Sequence, residues 1–395
     1  MSKENIVIVS AKRTPMGSFQ GALSSFKAPE LGSIVIKKNL EETRLNSKEI
    51  DEVIIGCVLP AGLGQAPARQ ASIGANIPVT VGATTINKMC GSGMKSIMIG
   101  YDSIFSGTNN IVVAGGIESM SNAPYILPKV RKGLRMGHNQ IKDHMFLDGL
   151  EDAYEEGKLM GSFAEDTAEH YQFSREEQDN FSIESLQKAK KANEEGFFKQ
   201  EIVEVSILTK KKTEIINKDE QPFKANIEKI PQLKPAFRKN GTVTAANSSS
   251  ISDGASTVVL MKESTADKKG IKPLARIVSH ATNSHEPNWF TTAPIGAISK
   301  VLDKSGWKKT DIDLLEVNEA FAVVPMAVMK ELSISIDILN INGGACALGH
   351  PVGASGARII STLIYNLKNR NLKRGIASLC IGGGEATAMS LELLD

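Results

Sequence analysis

The sequence predicts an α/β protein built from two copies of one unit, with a parallel-rich sheet covered by helices. The first observation behind this is a repeat. Cys90-Gly-Ser-Gly-Met-Lys runs through an apolar helix-like stretch into Ile111 to Gly116, and Gly353-Ala-Ser-Gly-Ala-Arg runs likewise into Ile376 to Gly384. Ser92-Gly93 matches Ser355-Gly356. Gly115-Gly116 matches Gly382-Gly383 once a short insertion near Asn369 is allowed. Internal similarity at such spacing marks a duplicated unit. The second observation is the alternation of strand-like and helix-like stretches, the order of a parallel-rich sheet. The third is that polar and glycine-rich residues follow the strands, at the edge where open α/β sheets place ligands.

In chain order, Ile6 to Ser10 reads as a strand, and Pro29 opens a helix through about Thr43, proline being tolerated in a first turn. Val53 to Val58 is the next strand, followed by a helix near Ala66 to Ala75. Thr85 to Met89 leads into the Cys90 turn, then a helix to about Phe105 and the strand Ile111 to Ala114. From about Ser119 to Asn247 the alternation stops. That region holds charges, glycines and helix-like stretches such as Ser174 to Asn193. It reads as an insertion carrying substrate contacts, as long excursions often do. From Pro273 the alternation resumes, with a strand Ile312 to Val317 ending in Asn318-Glu-Ala-Phe and a helix to about Leu332. Ile338 to Ile341 then leads into a glycine-rich run ending in His350-Pro-Val-Gly-Ala-Ser-Gly. The division expected is 1–270, with the insertion at about 119–247, and 271–395.

Composition narrows the classes. A chain of 395 residues with 41% apolar content can bury large cores in two or three domains. A formal charge of +2 gives no general reason to expect nucleic acid. No apolar run approaches 18 residues, so no membrane span is expected. Met1-Ser-Lys-Glu-Asn leads directly into a strand, without a signal peptide, which points to the cytoplasm. No metal site is expected: Cys57, Cys90, Cys346 and Cys380 are too far apart for a CxxC zinc pair. In a reducing compartment they are expected as thiols. Cys57 and Cys346 read as small packing residues. Cys90 and Cys380 stand apart because glycines surround them, and glycine lets backbone or substrate approach closely.

Between Val205 and Lys239 the insertion carries nine Lys or Arg, including Lys210, Lys211 and Lys224, against four Asp or Glu. That local excess of +5 is either a solvated face or a docking surface for a phosphorylated ligand.

Four motifs in order, Asn-Lys-Met-Cys90-Gly-Ser-Gly, Asn318-Glu-Ala-Phe-Ala, Gly349-His350-Pro-Val-Gly-Ala-Ser-Gly and Cys380-Ile-Gly-Gly-Gly, closely resemble those of the thiolases. The resemblance runs from Ser10-Ala-Lys-Arg-Thr-Pro to the C-terminal strands, and includes Met160-Gly161 and Gly241-Thr-Val-Thr-Ala. It implies a duplicated thiolase fold: two βαβαβαββ halves in a five-layered α/β/α/β/α arrangement with an inserted loop domain. It also implies acyl-CoA and CoA as substrates and products, with no cofactor beyond them, and a homo-oligomer, dimer or tetramer.

The residue types fit acyl exchange between thiols, which runs best through a third thiol. A free cysteine is mostly protonated at neutral pH, and a helix start favours its thiolate. A nearby histidine can take the proton. The resemblance assigns Cys90 as the acylated nucleophile and His350 as its base. It makes Cys380 the base that removes the methyl proton of the second acetyl-CoA. Developing oxyanions need fixed donors. The family's pattern places one hole at His350 with a water on Asn318, and the other at the N–H groups of Cys90 and Gly382. Asn318-Glu-Ala is also, taken alone, a helix N-cap signal, and one residue can do both.

The family's pantetheine contacts carry over to Ser249, Phe237, Met160, Ala320 and Phe321. Leu159 stands where acetoacetyl-specific members commonly have histidine. Phe223 falls near the position of an arginine that serves the adenosine phosphates, which leaves Lys224 as the candidate, without Arg's planar fork. The expected activity is reversible condensation of two acetyl-CoA to acetoacetyl-CoA and CoA. The alternatives are a broader 3-ketoacyl-CoA thiolase of fatty-acid metabolism and an acyl-CoA carrier without turnover. A decarboxylating condensing enzyme typically lacks a second catalytic cysteine, so Cys380 argues against it.

Overall fold

The computed structural model describes residues 4–208 and 212–394. The first half contributes strands β1 (Ile6–Arg13), β2 (Glu52–Gly56), β3 (Gly82–Ile86), β4 (Ile111–Ser119) and β5 (Ser252–Lys262), in spatial order β1-β5-β4-β2-β3. The second contributes β6 (Ala275–Ser284), β7 (Leu314–Val317), β8 (Arg374–Ile381) and β9 (Glu385–Leu393), in order β6-β9-β8-β7. Beyond β7, a single parallel bridge from Leu315 to Leu339 occupies the place that β3 takes in the first half. Pairing senses repeat as well. In each half the first and last strands are antiparallel, the last and the penultimate are antiparallel, and the penultimate and the second are parallel. The repeat read in the sequence is therefore a repeat of topology. β1 and β6 join the halves edge to edge, with Val7 opposite Arg276 and Ile8 opposite Ala275.

Of the apolar cores, one lies under each outer helical layer and a third surrounds the interior helices. Helices α1 (Ala28–Thr43) and α2 (Pro67–Gly74) cover one outer face, packing Leu31, Val35, Ile36 and Ala71 against Val53, Val113 and Val259. Helix α3 (Ser92–Phe105) lies in the interior with Met94, Ile97 and Met98. The insertion's α4 (Met160–Tyr171) and α5 (Arg175–Glu194) come next in the chain, then α6 (Ala293–Ser305) and α7 (Val323–Leu332). Apolar residues of α4, α6 and α7 pack on the outer face of the second sheet. The last helix, α8 (Ser355–Asn369), shares the interior core with α3, against strands of both halves. Every residue of α8 from Ser355 to Leu367 is buried, as a helix enclosed by strands of both halves requires.

The two interior helices touch backbone to backbone. A Cβ on Gly356 would sit 2.3 Å from the Met94 nitrogen, and one on Gly93 would sit 2.8 Å from the Ala357 nitrogen. Only glycine at both positions allows that approach. It brings the N-terminal ends of α3 and α8, and so Cys90 and His350, to one place.

Two expectations about local structure change. The chain after β7 does not enter a helix at Asn318: α7 begins at Val323. Residues 318–322 instead run against residues 247–249, with the Ser249 N–H donating to the Ala320 carbonyl and the Ala322 N–H to the Asn247 carbonyl, both at 2.9 Å. Asn318 is thus no N-cap. The apolar run at Ile338 to Ile341 shrinks to the one bridge at Leu339 because it lies at the sheet edge. In the insertion, α5 starts with a capping box: Ser174 Oγ accepts from the Glu177 N–H and the Glu177 carboxylate from the Ser174 N–H. Lys210 and Lys211 of the basic run lie outside the described residues.

Candidate active site

A cavity of about 420 Å³ opens at the N-terminal ends of α3 and α8. Cys90, His350 and Gly382 line it, with Leu159, Met160, Phe237, Ser249, Ala320 and Phe321. Phe146, Leu150, Met89 and Val352 complete its apolar wall. Phe146 and Leu150 belong to no motif, which is why sequence reasoning passed over them, while Met89 and Val352 stand inside the Cys90 and His350 motifs.

Cys90 sits in a locked turn. Met89 holds a left-handed φ of 46°, costly for a residue with a side chain and retained where surrounding structure fixes it. Ser92 Oγ donates to the Met89 carbonyl at 2.7 Å and accepts from the Lys88 N–H at 2.8 Å. Burial pushes the Cys90 thiol up to about 11, and the charge of Glu118 adds to that; the N–H groups of Gly382 and Cys90 itself, directed at the sulfur, oppose it. Burial therefore overrides the helix start, and the resting group is a thiol.

His350 is held at both ends. Ser355 Oγ donates to the Pro351 carbonyl at 3.0 Å, so it accepts the Nδ1 proton of His350 at 2.5 Å. Nε2 then carries the lone pair and faces Asn318 Nδ2 at 3.5 Å. Burial, then the Arg358 cation, lower the imidazole to about 3. It is neutral at working pH and able to accept a proton.

Cys380 lies near the end of β8, fully buried. Burial first, then the neighbouring Cys90, hold its thiol well above the ordinary value. Asn318 is also fully buried, and its Oδ1 accepts from Arg358 Nη2 at 3.4 Å. The five residues singled out for chemistry thus come from four segments, brought together by the two central helices and β8.

Glu118, which sequence reasoning missed, joins the two copies. Its carboxylate accepts N–H bonds from Val58 at 3.0 Å, Leu59 at 3.1 Å and Gly353 at 2.9 Å. Burial raises it to about 7 in spite of those donors. Its signal in the sequence is one acid closing an apolar strand. Cys57 is buried beside it, Sγ to Oε1 3.7 Å. Cys346 packs over the Glu319 carbonyl at 3.6 Å.

Three predicted site residues do not line the cavity: Cys380 and Asn318, both fully buried behind Cys90 and His350, and Lys224. Lys224 ends the short helix Gln221–Lys224, whose Gln221 does line it. Its ammonium lies 2.5 Å from Glu220, which also accepts the N–H groups of Ser18 and Ala22.

Comparison with known proteins agrees with this fold. Residues 6–264 match the family model of the thiolase N-terminal domain, and residues 271–393 that of the thiolase C-terminal domain. The chain belongs to the thiolase family. It is similar to a probable acetyl-CoA acetyltransferase of Dictyostelium discoideum, 49% identical over 99% of this chain and 94% of that protein. It is 48% identical to the acetyl-CoA acetyltransferase of Pseudomonas aeruginosa, over 98% of this chain and 99% of the other. Among solved structures, the Bacillus anthracis acetyl-CoA acetyltransferase superposes with a TM-score of 0.96 at 42% identity, covering 99% of both chains. A thiolase from Ascaris suum in complex with coenzyme A superposes at 0.93 with 43% identity, covering 99% of this chain and 100% of that one.

Proposed function

We propose that the chain is an acetyl-CoA acetyltransferase, interconverting two acetyl-CoA with acetoacetyl-CoA and CoA through an acetyl thioester on Cys90. The observation that carries this is a neutral His350, with Nε2 its unprotonated nitrogen, on the same cavity as a thiol that receives the Gly382 N–H. His350 takes the Cys90 proton as the sulfur attacks the first acetyl-CoA, and returns it to the departing CoA thiolate. Cys380 then gives its own proton to the neutral His350 and, as the thiolate, removes a methyl proton from the second acetyl-CoA. The resulting carbanion attacks the acetyl group, the new carbon–carbon bond forms, and His350 returns the proton it holds to Cys90 as the acyl bond breaks. Charge on the acyl oxygens is met by the N–H groups of Cys90 and Gly382, and by His350 with a water on Asn318. CoA is substrate and product, and no further cofactor enters.

In this reading the pantetheine arm runs past Ser249, Phe237, Met160, Ala320 and Phe321, with Lys224 serving the nucleotide phosphates from outside the cavity. One observation favours a second reading, a broader 3-ketoacyl-CoA thiolase of fatty-acid metabolism: Leu159, Phe146 and Leu150 make the acyl end apolar. The described helices include none long and apolar enough to cross a membrane. We assign the enzyme to the cytoplasm as a homo-oligomer, dimer or tetramer.

Acid-quenching after incubation with acetoacetyl-CoA should leave an acetyl mass on the Cys90 peptide, absent in Cys90→Ala. Acetyl on another residue sinks the mechanism. Rates across 3-ketoacyl-CoA chain lengths separate the two readings.

A further inference from the structure

We propose that Arg358 is a positioning residue: it grips the side-chain carbonyl of Asn318, so that the amide nitrogen is turned toward His350. The inference rests on the role given to Asn318 above and adds what aims it.

Arg358 lies on α8 one turn after Ser355, and is 1% exposed. Its Nη2 bonds Asn318 Oδ1 at 3.4 Å, while Nε and Nη1 have no hydrogen-bond partner. A buried guanidinium that leaves two nitrogens unpaired is set by more than its own satisfaction. The carboxylates of Glu316, Glu201 and Glu319 act on it as charges, with Arg13 opposing. Those acids balance the cation without fixing its fork.

The chemistry of the pair allows one orientation. A guanidinium has no acceptor, so only the oxygen of Asn318 can face it. The amide nitrogen must then point the other way, where His350 Nε2 lies at 3.5 Å. Nε2 is an acceptor because Nδ1 gives its proton to Ser355. The chain Arg358, Asn318, His350, Ser355, Pro351 carbonyl runs donor to acceptor in a single sense. If Asn318 were flipped, its carbonyl would face a lone pair and its NH₂ a cation. The same cation is a secondary reason that His350 stays neutral. In the first copy the matching residue is Lys95, only half-buried, so the repeat does not supply this contact twice.

The test is a double-mutant cycle on the full-length enzyme: Arg358→Lys, Asn318→Ala and the pair, assayed by thiolysis of acetoacetyl-CoA with melting followed in parallel. Arg358→Lys keeps the buried charge and loses the planar fork. Its kcat should fall about 10–10²-fold, the scale of a misaimed group, with KM unchanged within about two-fold. In the Asn318→Ala background the same change should cost almost nothing more. A fully additive loss, a loss confined to KM, or a wild-type kcat for Arg358→Lys overturns the inference. A wild-type kcat for Asn318→Ala overturns it together with the role of Asn318. Should Arg358→Lys not fold, Asn318→Asp is read with Arg358 intact. A carboxylate gripped by the guanidinium should leave the melting temperature within a few degrees, and an early-melting protein overturns the grip.

Discussion

The turns before the two central helices are copies of one another, and their differences separate scaffold from chemistry. Ser92 and Ser355 both close their turns by donating to a carbonyl, that of Met89 at 2.7 Å and that of Pro351 at 3.0 Å. Gly93 and Gly356 both let the helices meet. These matches are what the duplicated frame needs. The first copy then carries the thiol. The second carries the histidine, and its serine has a further task because the His350 Nδ1 proton lies on it. A residue kept for the fold in one copy is also used to set a tautomer in the other.

The largest effect that would sharpen this comparison concerns the cysteine of the second copy. Cys380→Ser should still accept acetyl on Cys90, yet fail to exchange deuterium into the methyl group of acetyl-CoA. Condensation should drop by about 10²–10⁴-fold, the usual cost of a lost general base. Near-normal condensation would make Cys380 a packing residue of β8.

The two serines offer the most direct comparison. Ser355→Ala removes the acceptor of the His350 Nδ1 proton, frees the ring and the tautomer, and should lower kcat about 10–10²-fold. Ser92→Ala loses a turn contact only, about 1 kcal/mol of stability, and should leave kcat within a few-fold. Equal losses of kcat in the two variants would mean that both serines serve the frame alone.

The acids and bases between the copies predict a pH profile. His350, lowered to about 3, is neutral on both sides of the ordinary histidine value, so kcat/KM should show no step from it near 6.5. Glu118, raised to about 7, should titrate there instead. Its folded value lies above the ordinary 4.5, so the folded state holds the proton more tightly. The stability it contributes is complete below 4.5 and is lost as pH rises toward 7. Glu118→Gln should remove that slope from melting temperature against pH, together with any step near 7 in activity. A step near 6.5 that survives Glu118→Gln would return the titration to His350.

The smallest effect lies outside both copies. Lys224→Ala should raise the Michaelis constant for acetyl-CoA a few-fold at low salt and leave kcat unchanged, less so as salt screens the charge. The ammonium is half-exposed and already shared with Glu220, which limits the change. An equal penalty with a pantetheine thioester that lacks the nucleotide would make Lys224 a residue of the fold.

How much of this was legible follows from how local each signal is. The duplication, the strands around Ile6 and Ile111, the helices ending near Thr43 and Leu332, and the helix-like stretch from Ser174 are written in short windows of sequence. Periodicity, prolines and caps act over a few residues, so a local reading finds them. Asn318 misled that reading. Its N-cap signal is real as local chemistry, but the chain from Asn318 to Ala322 finds its partners at Asn247 and Ser249, some seventy residues away. The wall residues Phe146 and Leu150 carried no signal, because apolar residues in an irregular insertion reveal nothing of what they face.

By itself, then, the sequence determined the duplicated α/β class and the family, and it singled out Cys90, His350, Asn318 and Cys380 as candidates, because reactive side chains and turn residues are written where they act. Only the tertiary structure decided their states. Cys90, part-buried on the cavity wall, is a thiol pushed up to about 11, and the buried His350 a base lowered to about 3, because the fold takes both largely out of water. Their orientation depends on Ser355, Arg358 and Glu118. Burial and charge are sums over everything folded around a group, and no window of sequence contains that sum.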